Sequence, residues 1–236
     1  MSANLLTEER TGYVIITINR AAMFNTLSIE TLTELTQTIS VIAKRTGVAA
    51  IILKGTGDSF AAGADIKELS SLTPQSAIEF SKRGQDLFNL LGEIPQLVIA
   101  AIDGYCLGGG LDLALACDIR YATVRSTFAH PGARLGIITG FGGTMRLPDA
   151  IGPAAARRMF TTADRIDARE AERIGLVQRV VDDDVMSIAI SLAESAADQG
   201  RKTIAYFKEV IRQTSRVSAG QAGLIERRAK ELFNKS

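Results

Sequence analysis

The run Gly108-Gly109-Gly110-Leu111-Asp112 combines residue types that could stabilise a negative charge beside an acid. An apolar stretch typical of a buried strand, 96–102, precedes the glycines, and an apolar segment typical of a helix, 111–117, follows them. Glycines at such a junction let a ligand approach the backbone closely, and the free N–H groups at a helix start attract anions. Because Asp112 follows within the first turn, the run predicts an anion-stabilising backbone next to a carboxylate.

A second glycine-bearing segment, Phe60-Ala-Ala-Gly-Ala-Asp-Ile-Lys67, lies just past another predicted strand, 48–54. Two such loops, each following a strand, could converge and offer two backbone N–H donors to one oxygen. That arrangement is an oxyanion hole. A lone glycine loop is more often only a turn of the chain. The pair of loops favours a site.

These segments resemble the two signature segments of the enoyl-CoA hydratase/isomerase (crotonase) superfamily, and the resemblance covers nearly the whole chain. The first is 60–67, and the second is Gly104-Tyr-Cys-Leu-Gly-Gly-Gly-Leu-Asp112 with Ala116-Cys-Asp118 after it. Further matching segments are Asn19-Arg20, Gly142-Gly143-Thr144, Arg146-Leu-Pro148, Ala171-Glu-Arg-Ile-Gly-Leu-Val177 and Lys230-Glu-Leu-Phe233.

The resemblance implies an α/β fold in which repeated β-β-α units form a spiral. The expected division is a spiral core with the acyl-CoA site at 1–178 and a helical C-terminal region at 179–236. The latter would mediate trimerisation, with trimers pairing into hexamers. The implied partners are acyl-CoA thioesters and further copies of the chain.

The resemblance also implies roles for individual residues. The N–H groups of Ala64 and Gly109 would hold the thioester oxygen as it becomes an enolate, with Asp112 as the acid. Such neutral, preorganised donors make the α-carbon acidic enough to lose a proton. The implied coenzyme A contacts are Ala62, Gly63, Asp65, Lys67, Lys230 and Phe233. Asp65 also has a structural interpretation, as a first-turn residue of its helix. Coenzyme A arrives as part of the substrate, so neither a resident cofactor nor a metal is expected.

The sequence departs from the family pattern at the acids. Hydratases of this family use two glutamates, and Asp112 at the first position is shorter by one methylene, which sets its carboxylate back by about 1.5 Å. The second position is Gly132, which has no side chain. His130 and Arg134 flank this gap, and Thr139 stands where the family pattern often has proline. His130 is a candidate catalyst because imidazole can exchange a proton near neutral pH, although a structural role is the commoner one.

Three functions remain open at this stage. Enoyl-CoA hydration is the leading hypothesis because it is the commonest activity of the family. A double-bond isomerase or a decarboxylase would need only one acid. A non-catalytic acyl-CoA-binding protein would keep the oxyanion fold without the second acid, which Gly132 favours and the intact 108–112 run opposes.

Composition excludes several other classes. The formal net charge of +1 provides no basic field for nucleic acid. One histidine and two separated cysteines, Cys106 and Cys117, make a disulfide framework or a His/Cys zinc site improbable. No signal peptide or membrane span is evident, so we expect a cytoplasmic protein. The sequence lacks a nucleophile elbow and a phosphate loop, and Gly140-Phe-Gly142-Gly143 lacks the third glycine of a dinucleotide fingerprint.

Periodicity predicts the elements that position these residues. Strands are expected at 13–19, 48–54, 96–102, 118–122 and 127–129, and helices at 29–42, 73–91, 111–117, 185–198, 202–214 and 219–233. Thr73-Pro74 and Asp167-Ala-Arg-Glu170 are typical helix starts. The pattern is strand–helix alternation followed by an all-helical tail.

Overall fold

The computed structural model describes residues 4–214, 217 and 221–228. Over these residues the chain forms a six-stranded and a four-stranded sheet. The strands are β1 (Leu5–Arg10), β2 (Tyr13–Ile18), β3 (Ala50–Gly55), β4 (Ser59–Ala61), β5 (Leu97–Ile102), β6 (Tyr105–Leu107), β7 (Ile119–Thr123), β8 (Thr127–Ala129), β9 (Ile166–Asp167) and β10 (Arg179–Val181).

The helices lie between and after these strands. They are α1 (Ile29–Ala43), α2 (Ile66–Ser71), α3 (Pro74–Glu93), α4 (Gly109–Ala116), α5 (Gly132–Leu135), α6 (Gly143–Ile151), α7 (Pro153–Thr162), α8 (Ala168–Arg173), α9 (Val185–Gln199) and α10 (Arg201–Thr214). A 3-10 turn spans Ala21–Met23, and residues 221–228 are helical. None of the described helices is long and apolar enough to cross a membrane.

The two sheets are built by repetition of one unit. The main sheet has the order β1-β2-β3-β5-β7-β10, parallel except for the β1–β2 pair. The second sheet has the order β4-β6-β8-β9. Each of β3, β5 and β7 is followed by a short strand of the second sheet and then by a helix. This confirms the expected spiral of β-β-α units.

The main sheet is buried on both faces, which explains why its strands are continuous apolar runs. On β2, Val14, Ile16 and Ile18 join the large core cluster that includes residues of α1, α3 and α4. Tyr13 and Ile15, on the opposite face, pack with α9. The same alternation along β3 and β5 places each face of the sheet against helices.

Capping side chains start several helices where the sequence predicts them. Ser28 accepts a hydrogen bond from the Thr31 N–H at the start of α1. Thr73 and Ser76 form a reciprocal capping box at α3, and Asp167 accepts from the Glu170 N–H at α8. These caps satisfy N–H groups that have no acceptor within the helix.

The prediction of an all-helical tail is wrong in one respect. β9 and β10 lie within the region expected to be helical, and β10 pairs with β7 at the edge of the main sheet just beyond residue 178. Both strands have three residues or fewer, so no period-2 pattern could develop in them. β1 was also not predicted, because five of its six residues are exposed.

Candidate active site

The two glycine loops lie side by side. Leu27 donates to the Gly63 carbonyl at 2.8 Å and accepts from the Asp65 N–H at 3.2 Å, which forms an isolated parallel bridge to Ala64. Alternate residues of an extended segment face opposite ways, so the Ala64 N–H points away from Leu27. A Cβ built on Gly109 would lie 3.3 Å from the Ala64 nitrogen, and one built on Gly63 would lie 3.7 Å from the Gly109 nitrogen.

The amides of Ala64 and Gly109 are available to a ligand. Gly109 is the first residue of α4, where an N–H has no acceptor within the helix. In the described part of the chain neither amide has a backbone acceptor. Two open N–H groups on adjacent backbone segments can bind one oxygen together. The structure therefore brings the two loops together, and their role as an oxyanion hole stays a prediction.

Two glycines make this backbone possible. Gly63 has φ +111°, and Gly108 has φ +50° and ψ −122°, which side-chain-bearing residues rarely adopt. At Gly108 the chain turns from β6 into α4, and its N–H still bonds to the Ala129 carbonyl at 2.9 Å. The backbone that carries the Gly109 N–H is thereby fixed at Gly108.

Two residues hold the segments on either side of β4, and sequence reasoning missed one of them, Asn25. Its buried side chain donates to the carbonyls of Thr56 and Ser59 at 2.8 and 2.6 Å, and it accepts from the Arg20 N–H. Arg20, a residue of the Asn19-Arg20 match, forms an ion pair with Asp65 at 3.4 Å. Asp65 itself caps α2 by accepting from the Lys67 N–H at 3.1 Å.

Asp112 is fully buried one turn into α4, and both of its oxygens contact protein groups. His130 Nε2 lies 3.3 Å from Oδ1, and the Thr139 hydroxyl donates to Oδ2. A Cβ built on Gly143 would lie 1.9 Å from Oδ1, so no side chain fits behind the carboxylate. The structure thus brings Asp112, His130 and Thr139 together beside α4.

At Gly132, where the resemblance predicts the second acid, backbone leaves no room for a side chain. Gly132 is buried, and a Cβ on it would lie 2.5 Å from the Ile137 carbonyl oxygen. The Ile137 N–H donates back to the Gly132 carbonyl at 3.0 Å. Arg134 is exposed on α5 and has no described contact with Asp112. His130 is buried against the Phe160 ring, with centroids 4.8 Å apart.

Phe141 is a site residue that sequence reasoning missed. Its ring is buried between α3 and the start of α4, packed on Phe80 and Phe88 at centroid distances of 5.2 and 5.5 Å. A Cβ built on Gly109 would lie 3.0 Å from two of its ring carbons. The ring therefore borders the backbone of one N–H donor.

The Asp112 charge acts on the nearby cation Arg146. Burial lowers the pKa of Arg146, while the nearby Asp112 charge acts in the opposite direction.

The thiols of Cys106 and Cys117 are buried, and burial raises the pKa of Cys117 to about 12. Because thiolate is the reactive form, Cys117 is unsuited to nucleophilic chemistry. Among the described residues no group of His, Cys, Asp and Glu is placed to hold a metal.

The residues expected to contact coenzyme A are only partly described. Ala62 and Gly63 belong to the loop before Ala64, and Lys67 is exposed at the first turn of α2. Lys230 and Phe233 lie outside the described residues.

Comparisons with known proteins find a family and relatives that match most of the chain. The model of the family described as Enoyl-CoA hydratase/isomerase matches residues 8–235. A crotonyl-CoA hydratase of Syntrophomonas wolfei is 38% identical over 216 residues, which are 85% of this chain and 83% of that protein. A short-chain-enoyl-CoA hydratase of Clostridium acetobutylicum is 37% identical, over 88% of this chain and 80% of that protein. The crystal structure of an enoyl-CoA hydratase from Bacillus anthracis superposes with a TM-score of 0.94 at 34% identity, covering 97% of this chain and 90% of the other.

Proposed function

We propose that the chain, which belongs to the enoyl-CoA hydratase/isomerase family, is an acyl-CoA-processing enzyme that works through a thioester enolate. Enoyl-CoA hydration is the leading reaction. The single observation that carries the proposal is the adjacency of the open Ala64 and Gly109 amides to the buried Asp112. Two amides, an acid and little water are what enolate chemistry needs.

In this mechanism the thioester oxygen accepts hydrogen bonds from both amides. Negative charge grows on that oxygen when water adds at the β-carbon, and the fixed donors stabilise it without reorganisation. Asp112 then gives its proton to the α-carbon. The proton that the attacking water loses as its oxygen bonds to the β-carbon is proposed to pass to His130 and from there to Oδ1 of Asp112, which His130 contacts, so that the acid is restored for the next turnover.

A second reaction, double-bond isomerisation, is favoured by the single carboxylate. Isomerisation moves a proton from the α-carbon to the γ-carbon of the same substrate, so one carboxylate can accept it and give it back. No second acid is required, and Gly132 supplies none. Decarboxylation of an acyl-CoA that carries a second carboxyl group would use the same enolate.

Coenzyme A would bind at the exposed side of the Ala64 loop. The half-buried Ala62 would contact it directly, and the exposed Lys67 ammonium would attract phosphate. Gly63 and Asp65 are buried and would contribute by fixing the course of the loop. Lys230 and Phe233 are proposed contacts from the C-terminal region. Coenzyme A is part of the substrate, and we propose no resident cofactor.

The C-terminal region, 179–236, is proposed to assemble copies of the chain into a trimer or a hexamer. Support comes from α10, whose Phe207 and Ile211 side chains are 65% and 63% exposed. Large apolar side chains on one exposed helix face are typical of an interface. A cytoplasmic location remains part of the proposal.

Spectrophotometry with two substrates tests the reaction. Crotonyl-CoA loses its conjugated absorbance on hydration, whereas vinylacetyl-CoA gains it on isomerisation. Asp112→Asn keeps the shape of the side chain and removes the acid, so we expect a rate loss of at least about 100-fold. Asp86→Asn removes a carboxylate that is exposed on α3 and should leave the rates unchanged.

The outcomes separate the candidate functions. Turnover of crotonyl-CoA alone supports the hydratase, and turnover of vinylacetyl-CoA alone supports the isomerase. Tight binding of acyl-CoA thioesters without turnover of either would replace the enzyme with a binding protein. Equal rates for Asp112→Asn and wild type would remove Asp112 as the acid.

A further inference from the structure

The residues next to the two N–H donors differ in exposure. Ile66 and Lys67, which follow Ala64 at the start of α2, are solvent-accessible. The ring of Phe141 is only 4% exposed and lies 3.0 Å from the position where Gly109 would carry a Cβ. In the proposed function coenzyme A, which is large and charged, would lie on the side of the exposed residues. The acyl chain would then extend toward Phe141.

We infer that Phe141 terminates the acyl pocket and restricts the protein to short-chain acyl-CoA thioesters, an inference that rests on the proposed function. The ring packs on Phe80 and Phe88 and so has further buried apolar groups behind it. A longer acyl chain would have to displace the ring from a close-packed cluster. Close-packed interiors resist such displacement.

Gly84 sets the position of this ring. A Cβ built on Gly84 would lie 2.2 Å from Phe141 Cδ1, so the absence of a side chain in α3 makes the notch that the ring fills. A Cβ built on Gly92, in the same helix, would have no neighbouring atom within 4 Å. The glycine at 84 is therefore matched to Phe141, whereas the glycine at 92 has no such neighbour.

Hydrogen bonds hold the backbone that carries the ring. Arg146 Nη1 donates to the Phe141 carbonyl at 3.0 Å, and Gln85 Nε2 donates to the Gly140 carbonyl at 2.7 Å. These bonds tie residues 140 and 141 to α6 and α3. The ring is consequently a fixed wall of the pocket.

Calorimetric binding of butyryl-, octanoyl- and dodecanoyl-CoA tests the inference. Wild type should bind butyryl-CoA more tightly than the two longer thioesters. Phe141→Ala should shift the octanoyl-to-butyryl preference by at least about ten-fold toward octanoyl, because buried methylenes are favourable. Phe141→Leu should shift it less and serves if the alanine variant does not fold. Leu35→Ala, a core truncation in α1, should keep the wild-type preference.

Gly84→Ala gives an independent arm. The new methyl group should push the ring toward the donors and weaken the binding of all three thioesters by about ten-fold or more. The double variant Gly84→Ala/Phe141→Ala should recover that loss.

The outcomes distinguish a failure of the proposed function from a failure of the role of Phe141. Wild type that binds none of the thioesters overturns the proposed function. Wild type that binds butyryl-CoA while Phe141→Ala and Phe141→Leu keep its chain-length preference overturns only the role of Phe141. Equal wild-type affinity for butyryl- and octanoyl-CoA, or unchanged binding by Gly84→Ala, would also overturn it.

Discussion

At the residue scale, Asp112 is held by groups from two other parts of the chain. Thr139 donates to Oδ2 from the loop before α6, and His130 contacts Oδ1 from the end of β8. Gly143 closes the remaining side, since a Cβ there would collide with Oδ1. The orientation of the carboxylate therefore depends on the path of the 131–143 segment. In the proposed mechanism Thr139 would be a positioning residue, because it would act on substrate through Asp112.

Replacement of Thr139 tests this dependence. Thr139→Val keeps the shape but removes the donor, and leaving a buried acceptor without its partner costs about 1–3 kcal/mol. We expect kcat to fall by about ten- to 100-fold while KM changes little, because the Thr139 hydroxyl is bonded to Asp112 and is not one of the proposed donors to the thioester oxygen. Steady-state kinetics with the preferred thioester measures both constants.

Two further variants serve as controls for Thr139. Thr139→Ser retains the hydroxyl and should recover most of the rate. Thr144→Val alters an exposed threonine on α6 and should behave as wild type. A wild-type kcat for Thr139→Val would contradict the positioning role.

At the element scale, α10 is attached to the core by the half-buried Ile204, which packs on the cluster between α9 and the main sheet, and by polar contacts of Lys208. None of its residues is fully buried. Lys208 Nζ reaches the Asp118 carboxylate and the Gln96 carbonyl, both at 2.7 Å. Burial raises the pKa of Asp118, and the Lys208 ammonium acts in the opposite direction. Lys208 thus fixes α10 against the β5–β7 region of the main sheet.

Removal of this ammonium should destabilise the protein. Lys208→Met keeps the aliphatic stem but leaves Asp118 without its cation, so we expect the free energy of unfolding to fall by about 2 kcal/mol. Urea denaturation followed by circular dichroism measures the change. Lys82→Met breaks the exposed Lys82–Asp86 pair on α3 and should cost less than about 0.5 kcal/mol. Equal losses for the two variants would refute the anchoring role.

At the scale of the whole molecule, the exposed apolar face of α10 bears on assembly. Ile211→Glu places a charge on that face, and burying an unpaired charge in an interface is costly. We expect light scattering after size exclusion to show a trimer or hexamer for wild type and smaller species for the variant. Ile78→Glu makes the same change at an equally exposed isoleucine on α3. A wild-type mass for Ile211→Glu, or a monomeric wild type, would count against the proposed interface.

The long elements could be predicted from sequence because their side chains repeat with a clear period. The helix expected at 29–42 is α1, and the strand expected at 96–102 is β5. The glycine loops were also predictable, since few residue types tolerate their backbone. β10 was not, because its three residues have no period and pair only with a distant strand.

Contacts between distant segments account for the rest. Asn25 bridges Thr56 and Ser59, which are more than 30 positions away in the sequence. The residues that flank Asn25 form no pattern that predicts this role. Phe141 in the sequence is one aromatic residue among glycines. Only the fold brings it to Gly84 and Gly109.

The Ile137 carbonyl that fills the space above Gly132 also has an evolutionary consequence. A glutamate introduced at this position by mutation would collide with that carbonyl. A second carboxylate therefore cannot be added at 132 by one substitution unless the 132–137 turn also moves, and single mutations that alter the proposed chemistry are confined to other positions around Asp112.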